Sequence, residues 1–323
     1  MSQPIDAIDA KIIKDLLANA RKNFVDIASE CNLSTAAISD RFSQLRKAGV
    51  IVGSTIQVNH KMLGHGALCN VLVNVHHQEI DQVVDFIKKL PYMTSLIAPG
   101  PKNSVGLVAG FNDIRDVGKF KESIRRNKYV TDVKVEVWTD IKNMPERLKV
   151  SEQSTSTEEN VELSVESQKT DYALDDMDRK IIDKLLADSM QPFGKIAKEI
   201  GTSINTVSRK YKKLNAHKVI KPTIQLNLTK IGYNAVVSFP ITFASETEPN
   251  DVMKEILTLK DSVLLIKTSG EVDLFAYVML RDLNQLLETQ KQVSLIKGIS
   301  RMDMKIFPVL VPWPALGEYI STF

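Results

Sequence analysis

The nine residues TVSRKYKKL, Thr206 to Leu214, combine a helical apolar pattern with a run of cations. Val207, Tyr211 and Leu214 recur at i, i+4 and i+7, the spacing of a buried stripe on an amphipathic helix. The intervening cations are Arg209, Lys210, Lys212 and Lys213. Such a positive ridge suits contact with a polyanion, and it also suits a simple solvated helix face. Features elsewhere in the chain must decide between a polyanion-binding face and a solvated face.

Composition and charge narrow the class of protein. A chain of 323 residues with 43% hydrophobic and 25% charged residues is typical of a globular protein with two or more domains. The net charge of +3 is too small to indicate a polyanionic partner by itself. Asp6 and Asp9 precede any apolar run, which argues against a secretory signal, and no stretch of about 18 apolar residues occurs. We expect a cytoplasmic protein without a membrane partner.

The candidate metal and redox residues are few. Cys31 and Cys69 are far apart and lack a CxxC or Cys/His spacing, so neither a disulfide framework nor a zinc site is indicated. His76 and His77 end a predicted strand without further ligands at metal spacing. We therefore expect no metal and no other cofactor.

The sequence contains two copies of one long unit. DAKIIKDLLA begins at Asp9, and DRKIIDKLLA begins 169 positions later, at Asp178. After one deletion, TIQVN from Thr55 matches TIQLN from Thr223. A period this long indicates a duplicated multi-domain unit, because solenoid repeats have periods of about 20 to 50 residues.

Each copy begins with a pattern of three helices followed by a strand-rich segment. Ser34 is a natural N-cap for a third helix, in which Ile38, Phe42 and Leu45 match Val207, Tyr211 and Leu214. Two short helices joined by a tight turn, the second with a polar outer face, indicate a helix-turn-helix. The alternating VIVGSTIQV that follows predicts a wing.

The remainder of each copy alternates as strand, helix, strand, strand, helix, strand, the order of a ferredoxin-like βαββαβ unit. Its sheet has helices on one face only, so the other apolar face needs a partner. We predict an α+β fold with two winged helix-turn-helix domains and two ferredoxin-like domains. The two sheets should pair face against face, either between chains or, as we favour, within one pseudo-dimeric chain, with further association into a dimer or a larger ring.

The predicted boundaries follow from the repeat. The winged helix-turn-helix domains span 1–60 and 174–228, and the ferredoxin-like domains span 61–147 and 229–323. The segment between the copies, 148–173, is rich in Ser, Thr and Glu, a composition that predicts a disordered acidic linker. In the C-terminal tail, Trp313 and Tyr319 are candidate docking anchors.

This arrangement resembles the Lrp/AsnC, or feast/famine, family of transcriptional regulators, with nearly the whole chain covered as two fused protomers. DRKIIDKLLAD, IAKEIGTSINTVSRKYKKL and TSGEVDLFAYV resemble that family's first helix, recognition-helix region and ligand loop. The resemblance implies a sequence-specific regulator that binds double-stranded DNA and is not an enzyme.

In such a module the recognition helix lies in the major groove, where early residues meet base edges and cations meet phosphates. In copy two we assign base edges or nearby phosphates to Asn205, Thr206, Ser208 and Arg209, and phosphates to Lys210, Lys212 and Lys213. The equivalent face of copy one offers Thr35, Ser39, Arg41, Gln44 and Lys47, with Asp40 at the position of Arg209.

The charge balance predicts unequal copies. Basic and acidic residues number 7 and 6 over 1–58, against 11 and 6 over 174–226. Copy two should therefore hold DNA more strongly. Copy one either reads a different half-site, contributes mostly orientation, or only packs.

The resemblance also implies an effector site between the βαββαβ domains, at Gly270, Glu271 and Asp273. Backbone amides of a glycine turn can bind a carboxylate and an acid can bind an ammonium group, so an amino acid suits the loop. Copy one keeps Gly100 but has Lys102 and Asn103 and no matching acid. The alternative is a simple strand-connecting turn with an exposed acid.

Two other functions stay open. Siroheme decarboxylases resemble this architecture as pseudo-dimers and hold a tetrapyrrole, although the sequence shows no paired catalytic constellation. A sequence-indifferent chromatin protein would share the basic helix but show little preference between promoter and random DNA.

Overall fold

The computed structural model describes residues 5–76, 79–90, 93–100, 103–151 and 172–315, with the backbone only for 93–100. Copy one contains α1 Ala7–Ala18, α2 Phe24–Glu30, α3 Thr35–Lys47, β1 Ile51–Val58, β2 Ala67–Val75, α4 Ile80–Ile87, β3 Met93–Gly100, β4 Ser104–Phe111, α5 Arg115–Arg125 and β5 Val130–Asn143. Copy two contains α6 Asp176–Ala187, α7 Phe193–Ile200, α8 Ile204–Ala216, β6 Ile220–Leu226, β7 Ala235–Phe243, α9 Pro249–Thr258, β8 Ser262–Ser269, β9 Leu274–Leu280, α10 Leu283–Ser294, β10 Ile299–Met302 and β11 Lys305–Pro308.

The helix-turn-helix boundaries are set by local chemistry. The Ser34 hydroxyl accepts a hydrogen bond from the Ala37 N–H at 3.1 Å, which caps α3. Ser203 caps α8 in the same way, at 3.1 Å from the Thr206 N–H. The turn before each of these helices contains a left-handed residue, Asn32 with φ 54° in copy one and Gly201 with φ 72° in copy two.

The two wings pair with each other across the two copies. β1 and β6 form an antiparallel ribbon in which Thr55 lies opposite Thr223. Ile224 and Leu226 of β6 are buried in the core of the first helix-turn-helix. Ile56 and Val58 of β1 are buried in the core of the second. Each helix-turn-helix core is therefore completed by a strand from the other copy.

A reciprocal pair of hydrogen bonds follows from this exchange. Thr223 Oγ1 donates to the Leu17 carbonyl at 2.9 Å, and Thr55 Oγ1 donates to the Leu186 carbonyl at 2.8 Å. Both threonines are fully buried. The acceptors lie in the last turns of α1 and α6, where helix carbonyls lack partners within the helix.

The ferredoxin-like domains share one sheet, with strand order β10-β7-β9-β8-β5-β2-β4-β3 and β11 also paired with β7. Each half has the strand order of a βαββαβ unit, with its helices packed on one face. The predicted α+β class with two winged helix-turn-helix domains and two ferredoxin-like domains is confirmed. The halves join through β5 and β8, from Val137 opposite Ser269 to Asn143 opposite Leu264, an edge pairing that was not predicted.

The sheet faces of the two ferredoxin-like domains that carry no helices also pack against each other, as expected from their apolar residues. Val108 and Ile141 from copy one form a buried cluster with Ile266 and Phe275 from copy two. The contact is within one chain, so the two copies form an intramolecular pseudo-dimer.

The segment after β5 is anchored on copy two. Leu148 and Val150, which fall in the predicted linker, are buried. The Tyr233 hydroxyl donates to the Lys149 carbonyl at 2.8 Å, and the Lys149 N–H donates to Asp261 at 2.8 Å. Packed structure thus continues to Ser151, and the remainder of the predicted linker, 152–171, lies outside the described residues.

The C-terminal tail returns to the second wing. Trp313 is 6% exposed and exchanges hydrogen bonds with Leu226, at 2.7 Å and 2.9 Å between backbone nitrogen and oxygen. The second predicted anchor, Tyr319, lies outside the described residues, as does His77. In the described part of the chain, no helix has the length and apolar character needed to cross a bilayer.

We expect Thr55→Val and Thr223→Val each to lower the free energy of unfolding by about 0.5–1.5 kcal/mol, because each leaves a carbonyl without its donor. Urea denaturation of the full chain measures this change. Thr258→Val, at an exposed helix end, is the control and should change the free energy by less than about 0.5 kcal/mol. Equal stability of all three variants would contradict the role of the reciprocal hydrogen bonds.

Candidate nucleic-acid interface

The outer face of α8 presents the polar residues that the sequence analysis assigned to DNA. Val207 and Leu214 are fully buried, so the opposite side of the helix faces solvent. Asn205, Arg209, Lys212 and Lys213 are exposed there and, with the half-buried Ser208, line one shallow groove. Thr206 is half-buried, and its hydroxyl lies 2.9 Å from that of the capping Ser203. Arg209, Lys212 and Lys213 therefore form a cationic surface beside potential base-reading groups.

Lys210 does not belong to this surface. Its Nζ lies 2.6 Å from Asp175 Oδ2 and 3.0 Å from Asp178 Oδ1, and its side chain is only 14% exposed. Asp178 is itself buried and also accepts a hydrogen bond from the Tyr172 hydroxyl at 3.1 Å. These ion pairs fix α8 against the start of α6, and the phosphate contact of Lys210 stays a prediction.

Copy one repeats this arrangement with Arg41. Its Nη1 lies 2.7 Å from Asp6 Oδ2 and 2.9 Å from Asp9 Oδ1. Arg41 thus has the same positioning role at the start of α1, and its DNA contact also stays a prediction. The sequence contained a sign of this shared arrangement. Asp6, Asp9 and Arg41 match Asp175, Asp178 and Lys210, respectively, at the repeat distance.

The remaining candidates of copy one lie on the outer face of α3. Thr35, Ser39, Gln44 and Lys47 are exposed, together with Asp40. The last turn adds Arg46, an exposed cation that the sequence analysis did not single out. Copy one thus offers a polar surface with less positive charge in its middle than copy two.

Arg21 connects copy one to the recognition helix of copy two. Its guanidinium carbon lies 4.2 Å from the centroid of the Phe193 ring and 5.1 Å from that of Tyr211 on α8. Its Nε and Nη2 donate to the carbonyls of Ser189 and Gln191, both at 2.6 Å. Burial lowers the pKa of Arg21. Sequence reasoning missed this contact, because the matching residue in copy two is Met190.

The two recognition helices are held in one assembly by the exchanged wings and by Arg21. Paired helix-turn-helix domains bind half-sites whose separation is set by the protein, one helical turn of DNA or a multiple of it. The fold therefore fixes the separation of α3 and α8.

The predicted effector residues are placed together but are engaged within the chain. Glu271 forms an ion pair with Lys134 of copy one, with 2.8 Å between Oε2 and Nζ. Asp273 Oδ2 accepts a hydrogen bond from the Phe243 N–H at 2.8 Å. Gly270 lies directly against the Glu136 side chain. The matching loop of copy one is only partly described: Asn103 has φ 57°, and Lys102 lies outside the described residues.

The two cysteines are free thiols. Burial raises the pKa of the Cys69 thiol to about 12, so it is protonated at neutral pH. Among the described residues, no group of three or more His, Cys, Asp or Glu side chains is arranged to hold a metal ion.

Family models match both helix-turn-helix regions. Residues 5–52 match a winged helix-turn-helix DNA-binding model, and residues 174–215 match an AsnC-type helix-turn-helix domain. The HTH-type transcriptional regulator Ptr1 of Methanocaldococcus jannaschii is 28% identical over 116 residues, which cover 36% of this chain and 78% of that protein. The regulatory protein AsnC of Haemophilus influenzae is 27% identical over 126 residues, 38% of this chain and 84% of that protein. Each relative thus corresponds in length to about one copy.

A solved structure matches the duplicated architecture. The siroheme decarboxylase NirDL superposes with a TM-score of 0.63 over 98% of this chain and 93% of that chain, at 14% sequence identity. At this identity the likeness shows the fold alone.

We expect Lys210→Met to lower the free energy of unfolding by about 1–3 kcal/mol, because it leaves the buried Asp178 carboxylate without its cation. Lys212→Met, on the exposed face, is the control and should change it by less than about 0.5 kcal/mol. Urea denaturation at pH 7 compares the two variants. Equal stabilities would contradict the structural role of Lys210.

The same variant should alter the acid dependence of stability. The hydrogen bond from Lys210 lowers the pKa of Asp175 to about 2. Because the unfolded carboxyl has a pKa of about 3.9, this contribution is present above about pH 4 and is lost as pH falls towards 2. Lys210→Met should therefore show a smaller loss of stability across that interval than the wild-type protein.

Proposed function

We propose that this chain, a tandem duplicated regulator of the Lrp/AsnC type, binds an asymmetric operator as an intramolecular pseudo-dimer. The observation that supports this most directly is the outward face of α8, where Asn205, Arg209, Lys212 and Lys213 line a groove beside the buried stripe. The cations supply phosphate contacts, and Asn205 and Arg209 supply groups that pair with base edges.

The asymmetry follows from comparing matched positions. Arg209, Lys212 and Lys213 of α8 correspond to Asp40, Ser43 and Gln44 of α3. Copy two therefore contributes most of the electrostatic binding, and copy one reads a second half-site with polar groups and with Arg46 and Lys47. The two half-sites should differ in sequence, since different side chains read them.

We propose that the chain is a regulator and not an enzyme. Its likeness to a siroheme decarboxylase is one of fold, whereas its sequence relatives are named as transcriptional regulators. An absorbance spectrum of siroheme with and without the purified protein tests the alternative. A protein-dependent shift of the siroheme bands, with turnover, would favour the enzyme.

Further parts of the proposal concern the effector and the assembly. A small amino acid or related carboxylate is the class of ligand that suits the loop at Gly270, Glu271 and Asp273, and any such ligand must compete with Glu136.

We also propose that pseudo-dimeric chains associate further, and that they act in the cytoplasm. Light scattering at micromolar concentration that gives the mass of one chain would exclude the association.

Selection of bound sequences from random double-stranded DNA at fixed salt tests the function itself. A regulator of this design should enrich a site with two half-sites at fixed spacing, one of them more strongly constrained. Recovery without any enriched sequence would favour a sequence-indifferent chromatin protein.

We expect the double variant Lys212→Ala, Lys213→Ala to bind all DNA sequences more weakly. The slope of log affinity against log salt should fall by about 0.9 for each lost phosphate contact. Titrations at several salt concentrations measure both effects. Lys291→Ala, Lys297→Ala removes the same charge from exposed positions of the second ferredoxin-like domain and should leave the slope unchanged. An unaltered slope for Lys212→Ala, Lys213→Ala would instead identify a solvated face.

Arg209→Ala should have a different signature. Loss of a bidentate contact to guanine should cost roughly 1 to 3 kcal/mol at the selected site and relax the preference at one base position. The matched variant in copy one, Asp40→Ala, removes a charge that repels phosphate and should leave affinity unchanged or raise it. Binding to the selected site and to its single-base variants measures both. A uniform loss over all sequences would assign Arg209 to phosphate contact only.

A further inference from the structure

The recognition helix of copy two begins with an exposed apolar residue. Ile204 is the first residue of α8, directly after the capping Ser203, and it is 57% exposed. Among the described residues of the second helix-turn-helix domain, no other large apolar residue is exposed. Single exposed apolar residues are common on protein surfaces, so the surroundings of Ile204 decide whether it has a role.

Ile204 borders the groove on the outer face of α8. Ser208, one of the residues that line this groove, follows Ile204 by four positions. Residues four apart are neighbours on the surface of a helix. Ile204 therefore adds an apolar edge to a groove that is otherwise lined by polar and cationic side chains. This edge lies at the N-terminal end of α8, the part of a recognition helix that contacts base edges.

The start of α7 supports the Ile204 side chain on one side. A Cβ atom added at Gly194 would lie 3.5 Å from Cδ1 of Ile204, an ordinary van der Waals distance. A β-branched side chain in a helix has one strongly preferred χ1 rotamer, so a contact on its exposed side costs little conformational entropy. Ile204 thus presents a positioned aliphatic surface next to the groove.

The major groove of DNA offers one apolar group to a protein, the 5-methyl group of thymine. Cytosine, the other pyrimidine, presents an amino donor there and carries no methyl group. An aliphatic side chain at a base edge therefore favours thymine over cytosine. Asn205 and Arg209 can pair with adenine and guanine, so Ile204 supplies the kind of contact that they do not.

We propose that Ile204 is a specificity-determining residue that selects thymine by packing against its 5-methyl group. The proposal rests on the proposed function and adds an apolar determinant to the half-site read by α8. The matching residue of α3 is the exposed Thr35, which has only one methyl group, beside a hydroxyl. The preference for thymine should therefore be stronger in the half-site of copy two.

Replacement of thymine by uracil tests the contact, because it removes the methyl group and keeps the base pairing. Selection from random DNA with the wild-type protein and with Ile204→Ala identifies the position at which only the wild-type protein prefers thymine. Uracil at that position should weaken wild-type binding roughly two- to fivefold, the effect of burying about one methyl group. Ile204→Ala should bind the thymine and uracil sites with equal affinity.

Val25→Ala is the matched protein control. Val25 is 54% exposed but lies on α2, outside the two recognition helices, so its removal should leave the uracil effect at that position unchanged. Uracil at a thymine outside the selected site is the DNA control and should not change affinity.

Stability is measured on the same variants. Urea denaturation should give the same midpoint for Ile204→Ala and the wild-type protein, since the residue is largely exposed. Ile204→Thr introduces the residue of copy one and should show an intermediate uracil effect. It replaces Ile204→Ala in the comparison if the alanine variant does not fold.

The failure of this proposal and the failure of the proposed function are distinguishable. Recovery of DNA without any enriched sequence would contradict both. A selected site at which uracil weakens the wild-type protein and Ile204→Ala by the same factor would overturn the role of Ile204 and keep the regulator. A selected site whose thymine preferences are all retained by Ile204→Ala would do the same. A combined effect of both changes that is no larger than either single effect supports the contact.

Discussion

The exchange of wing strands between the two copies is the constraint on which the rest of the structure depends. Neither helix-turn-helix has a complete core without a strand from the other: Leu226 is buried in the first and Val58 in the second. Buried apolar area is the main stabilising contribution to folding, so the cores cannot be separated without exposing both. The relative position of the reading helices is thereby part of the fold and not a property of a flexible connection.

The cations that suggest DNA binding fall into two groups with different physical roles. Lys210 and Arg41 each join a pair of carboxylates at the start of the first helix of their copy, and this holds the recognition helix against the domain. Arg209, Lys212 and Lys213 have exposed side chains. Within little more than one turn of α8, one cation therefore positions the helix while its neighbours stay available to a ligand. A count of basic residues does not distinguish these two roles.

Much of this was predictable from sequence, because local patterns determine it. The Ser34 cap, the buried stripe of Val207 and Leu214 and the βαββαβ order are read from spacing alone and are confirmed. The wing exchange, the β5 to β8 pairing and the contact of Glu136 with Gly270 were not predicted. Each of these contacts requires a segment to pair with a strand or loop of the other copy and not with the equivalent one of its own copy. Because the two copies are similar, no local sequence pattern distinguishes the two partners.

The exchanged wings also have a consequence for biosynthesis. The hydrogen bond from Thr223 to the Leu17 carbonyl joins residues 206 positions apart. At synthesis rates of about 5 to 20 residues per second, the first helical unit waits on the order of 10 to 40 s for the strand that completes its core. During that interval the nascent chain exposes the apolar surface that Ile224 and Leu226 later cover. A tandem gene arrangement ensures that the completing strand arrives on the same polypeptide, at a high effective concentration that does not depend on expression level.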